Sequence, residues 1–144
     1  MKRLTAVLSA SALALGGLAG ASMLAPVAAH AEPTCGGSID DWRSFDGAAS
    51  YSGTGTTSFG STLERKVVLE GDTAWVPGET DKLPFTFTPG KVAWGVSSDS
   101  GGTNYSLSAP QCAQGDSRVT SATYEEFSGG VGGGGRLAGQ FTRA

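Results

Sequence analysis

LPFTFTPGKVAWGVSSDSGGTNYSLSA, residues 83–109, carries the clearest periodicity in the chain. Phe85 and Phe87 alternate with Thr86 and Thr88. Val92, Trp94 and Val96 alternate with Ala93, Gly95 and Ser97, and Tyr105 and Leu107 with Asn104, Ser106 and Ser108. A period of two puts successive side chains on opposite faces, which is the pattern of half-buried strands. Pro89-Gly90 separates the first two runs, since proline presets φ and glycine accepts positive φ. Ser98 to Gly102 separates the second and third. The stretch therefore predicts a three-strand meander with one Phe/Val/Trp/Tyr/Leu face.

Working outward, residues 62–70 read as another strand. Leu63, Arg65, Val67 and Leu69 share one face, and Glu64, Lys66, Val68 and Glu70 the other. Gly71-Asp72 is a turn, Thr73 to Val76 a short strand, and Pro77-Gly78 ends it. After Gln114-Gly115-Asp116-Ser117, residues 118–127 are β-rich, with Val119, Thr120, Thr123, Tyr124 and Phe127, but their two faces are not sorted. The run SGGVGGGG, residues 128–135, is a flexible connection, and Leu137 and Phe141 resume the alternation over residues 136–142. Residues 47–60, rich in Ser, Gly and Thr with Tyr51 and Phe59, read as a mobile loop or a weak edge strand. Residues 38–45 read as a short strand or one helical turn capped by Ser38. Seven or eight short strands without an amphipathic helix predict a single all-β domain, an antiparallel β-sandwich or small barrel.

Residues 1–31 are expected to be a secretory signal peptide. Lys2 and Arg3 precede a segment rich in Ala, Leu and Gly, and Ala29-His30-Ala31 fits the small-x-small cleavage pattern. The mature domain is then residues 32–144, with an extracellular location, no membrane attachment and no cofactor. Its 113 residues contain no histidine, because His30 leaves with the leader. Losing Lys2 and Arg3 leaves eight basic against 13 acidic residues, a net charge of −5, which argues against nucleic acid and anionic lipid as partners. Outside the cell the two cysteines, Cys35 and Cys112, are expected to pair.

Without histidine, and with both cysteines bonded, nucleophilic triads and imidazole acid–base chemistry are excluded from the mature domain. Carboxylates remain: Asp40, Asp41, Asp72, Asp99, Glu125 and Glu126. A glycoside hydrolase needs two of them flanking one bond, and neighbours such as Glu125 and Glu126 on a strand would face opposite ways. A non-enzymatic binding protein is the first expectation. Trp42, next to Arg43 and Phe45 and close behind Cys35, is a candidate anchor for a protein partner, since Trp and Arg dominate interface hot spots. Its other reading is a cover for one end of the fold. Trp75, before the Pro-Gly turn, reads as core or rim; exposed, it would suit a polysaccharide or cell wall ligand.

Glu32-Pro33-Thr34-Cys35, six residues, then Trp42-Arg43 resembles the opening of the tendamistat-type α-amylase inhibitors. Residues 66–73, KVVLEGDT, are similar to the strand and turn that follow in that family. The resemblance implies a disulfide-stapled β-sandwich that inhibits an extracellular hydrolase, with Trp42 and Arg43 contacting the target. The third residue of the family's Trp-Arg-Tyr triplet is Ser44 here, and the spacing of Cys112 differs.

Overall fold

The structure is a computed structural model and describes residues 33–43, 47–130 and 133–144. The expected leader over 1–31, and Phe45, lie outside the described residues. A short 3-10 turn, Ile39–Asp41, precedes nine strands among the described residues: β1 (Ala48–Thr57), β2 (Thr62–Glu70), β3 (Thr73–Trp75), β4 (Leu83–Pro84), β5 (Thr86–Thr88), β6 (Lys91–Ser98), β7 (Gly101–Cys112), β8 (Val119–Gly130) and β9 (Gly135–Arg143). They form one antiparallel sheet in the order β4-β3-β2-β1-β9-β8-β7-β6-β5. Every neighbour is also a neighbour in sequence except β1 and β9, whose pairing joins the two ends of the meander. β4 and β5 are halves of one descending segment bent at Phe85; β4 pairs with β3 and β5 with β6. The sheet is thus curled into a nearly closed barrel, and its edges meet at that bend.

The expected meander is present as β5, β6 and β7, with Trp94 opposite Tyr105 and Val92 opposite Leu107. β7 continues past Ala109 to Cys112, accommodating Pro110 through a register shift between Ser108 and Gln111 where Ala109 takes a φ of 50°. The expected loop or edge strand at residues 47–60 is instead β1, ten residues long and flanked on both sides by β2 and β9. Its inward positions are Ala49, Tyr51, Gly53 and Gly55, so half of its core face is glycine. A β-carbon at Gly53 would meet the Phe141 ring 2.8 Å away, and one at Gly55 would overlap the Leu137 side chain. Large residues on β9 fill the space that β1 leaves, which is why no apolar alternation marks this strand.

The barrel interior is filled by Tyr51, Val67, Leu69, Val92, Leu107, Tyr124 and Phe141, all fully buried, each contributing roughly 1.5–3 kcal/mol of transfer free energy. Tyr124 stacks on Phe141 with centroids 4.5 Å apart, and Trp94 on Tyr105 at 5.6 Å.

One end of the barrel is plugged. The Cys35–Cys112 disulfide ties the N-terminal segment to the end of β7. From there the segment touches all three turns of that end. Gly36 N–H donates to Ser117 O (2.9 Å), Gly90 N–H to Gly36 O (3.0 Å), and Arg43 Nη1 to Gly71 O. Ser117 Oγ donates to the Asp41 carboxylate, which also accepts from Ser38 N–H in the manner of a helix cap. Trp42 enters the barrel beneath this lid. Its indole N–H donates to Gly36 O (2.9 Å), and its carbonyl accepts from the Tyr51 hydroxyl. Arg143 Nη1 closes the corner on Asp41 O at 3.0 Å.

Candidate functional site in the barrel mouth

The residues singled out at the N-terminus serve the plug. Trp42 has 0% of its surface exposed. The expectation that it presents itself to a partner gives way to its other reading, a cover for one end of the fold, because hydrogen bonds to Gly36 and Tyr51 seat it beneath the N-terminal segment. Arg43 keeps 20% of its side-chain surface and spends its guanidinium on Gly71 O, Asp40 and Asp72. Trp75 is half-buried on the outer face of β3, with the Lys82 ammonium 4.6 Å above its ring. These three positions are not brought together into one surface feature. Glu125 and Glu126 point to opposite faces as expected: Glu125 pairs with Arg136 outside, Glu126 lies inside.

The opposite end is different. The turns after β1 and β6 and the end of β8 lie around it, and here the inner face changes character. Going round one layer, Trp94, Tyr105, Glu126 and Leu137 stand side by side on β6, β7, β8 and β9. Arg65 on β2 reaches the same layer. Its Nε donates to Glu126 Oε2 at 3.3 Å, linking strands that β1 and β9 separate in the sheet. The Tyr124 hydroxyl donates to the same carboxylate oxygen at 2.8 Å. Among the described residues, the Arg65 Nη groups and Glu126 Oε1 have no hydrogen-bond partner. The pair is neither sealed nor free in solvent, with 16% and 19% of its side-chain surfaces exposed. Attraction between charges in such a setting is stronger than on an open surface, though part of it offsets lost hydration.

The surroundings respond to this carboxylate. Burial, and then the charge and hydrogen bond of Glu126, push the Tyr124 hydroxyl far above its ordinary pKa. Burial and then Glu126 also raise Tyr105. Both phenols therefore remain neutral donors at any physiological pH.

A cavity of about 160 Å³ opens over the pair, lined by Leu63 and Leu137 on the inside, Thr57 and Ser128 beside them, and Phe59 at the rim. Leu63 and Val96 belong to the inward sets of β2 and β6 yet are 42% and 45% exposed, because the mouth above them is open. Phe59 is 87% exposed. One further group in the layer is left over: the Trp94 indole N–H is buried with no hydrogen-bond partner among the described residues. A wider depression of about 570 Å³ lies over the outward residues Thr86, Ala93, Gly95, Ser106 and Phe127 and reaches Trp94 and Tyr105. Its charged pair, Glu125 and Arg136, is exposed and mutually satisfied, whereas Arg65 and Glu126 keep unspent groups at the mouth.

Comparison with protein-family models, with curated proteins and with solved structures gave no match.

The mouth was visible in the sequence only as two irregularities. Arg65 stands on the face that carries Leu63, Val67 and Leu69. In β8 a carboxylate takes an inward position while Phe127, 55% exposed, takes an outward one. That exchange is what left the faces of residues 118–127 unsorted. A charged residue on the apolar face of a strand was the available signal.

Proposed function

We propose that this chain is a secreted, non-enzymatic binding protein that takes the end of a ligand into the mouth of its barrel. The carrying observation is the Arg65–Glu126 pair, partly buried at the floor of an open cavity with donors and an acceptor unspent. Ligand sites favour such places, mostly apolar with a few convergent polar groups, and barrel mouths are among their usual positions. The cavity is smaller than the roughly 300–1,000 Å³ that encloses a drug-sized molecule, so it suits an end group. Secretion is supported by the leader pattern and is in keeping with the disulfide. A carboxylate hydrolase draws less support, since Glu125 and Glu126 face opposite ways. A hydrolase inhibitor anchored on Trp42 and Arg43 draws none from a tryptophan without exposed surface.

The test is a small-molecule fragment screen on the ¹⁵N-labelled protein. Hits should perturb the amides of Leu63, Arg65, Ser128 and Leu137. Hits confined to the Cys35–Arg43 segment, or none at the mouth, would reject the proposal.

A further inference from the structure

Resting on that reading, we propose that the mouth binds a neutral, polyhydroxylated end group: a sugar ring presenting two adjacent hydroxyls to Arg65 and Glu126, with its C–H face on Phe59. The two floor groups lie 3.3 Å apart and carry opposite charges. A simple anion would be drawn to Arg65 and repelled by Glu126, and a simple cation the reverse; Arg136, which also lines the cavity, is paired with Glu125. A hydroxyl both donates and accepts. Two neighbouring hydroxyls can therefore accept from the Arg65 Nη groups and donate to Glu126 Oε1, forming charge-assisted hydrogen bonds with both partners and needing no charge of their own.

The rest of the cavity fits the same chemistry. Phe59 makes no packing contribution at 87% exposure, and its ring stands at the rim. An exposed aromatic beside a polar floor offers a flat apolar surface to the C–H face of a ring whose edge is hydroxylated. Leu63 and Leu137 supply apolar walls, and the Ser128 hydroxyl, bonded to Thr103 at 3.1 Å, adds a donor–acceptor nearby. At about 160 Å³ the cavity has room for about one ring.

A zwitterionic amino acid is the competing occupant, its carboxylate on Arg65 and its ammonium on Glu126. The experiment titrates the labelled protein with glucose, mannose, galactose and N-acetylglucosamine, and in parallel with glycine and alanine. Expected is that at least one sugar shifts the amides of Leu63, Ser128 and Leu137, and that neither amino acid does. Phe59→Ala, at a site whose exposure removes any folding cost, should weaken that sugar about tenfold. Glu126→Gln should weaken it by a similar factor, with a dispersed amide spectrum confirming that the fold persists. Shifts with the amino acids and none with the sugars would overturn the sugar assignment and leave the mouth as the site. Silence from both series, with fragment hits elsewhere, would overturn the sugar assignment and the mouth together. Sugar shifts unaffected by Phe59→Ala and Glu126→Gln would also overturn it.

Discussion

Tyr51 and Tyr124 show how a single inward phenol ties stability to pH. Burial raises Tyr51 to about 12, even though Arg143 opposes the shift, and raises Tyr124 further. In the unfolded chain both titrate near the ordinary value of about 10. Below that pH the folded and unfolded states hold the same protons, and stability does not depend on these groups. Above it the unfolded state releases protons that the folded state keeps, so stability falls as pH rises from about 10 to about 12. Tyr51 alone removes on the order of 3 kcal/mol across that interval. We expect phenolate absorbance to appear together with loss of the fold in an alkaline titration. Phenolate signal from Tyr51 or Tyr124 near pH 10 in a folded protein would contradict this.

Among the elements, β1 and β9 approach so closely that glycine is required on both. A β-carbon at Gly139 would overlap the Thr54 carbonyl oxygen and come within 2.9 Å of Gly55 Cα. Neither backbone atom can rotate away. Gly139→Ala should therefore destabilise by roughly 1–3 kcal/mol, as overpacking does, measurable in urea unfolding. A loss under 0.5 kcal/mol would show that the two strands have room to part. The same glycines mark where the sequence was legible and where it was not. β2 was read with its observed bounds, and the meander of β5, β6 and β7 with its inner face, because large apolar residues there alternate with small polar ones. β1 was hidden, since its core side is completed by side chains that belong to β9. The Arg65–Glu126 pair was hidden for a related reason. Arg65 and Glu126 lie 61 positions apart, and only the curl of the sheet makes their two exceptions to the pattern into one site. Trp42 was ambiguous because burial under a lid depends on contacts with turns at residues 71, 90 and 117.

For the molecule as a whole, the N-terminal segment is a stopper held by one covalent bond. The Cys35–Cys112 bridge spans 77 positions, and closing a loop of that length is worth about 4–5 kcal/mol in the chain-entropy account. Replacing both cysteines with serine should lower the unfolding free energy by about 3–5 kcal/mol and open the Trp42 indole N–H to hydrogen exchange. The amides at the mouth should keep their positions while the fold persists. Retained protection of the Trp42 indole would show that hydrogen bonds alone seat the stopper.

The stopper also fixes where the chain enters and leaves. Cys35 and Gly36 lie at the plugged end, and Ala144 N–H donates to Ser50 O near the same end. Pro33 and Ala144 therefore lie at the end of the barrel away from Arg65 and Glu126. A domain beginning at Pro33 can therefore be tethered to a bead, a surface or a second protein through either of those ends and still hold its opening toward the solvent, like a cup standing on its base.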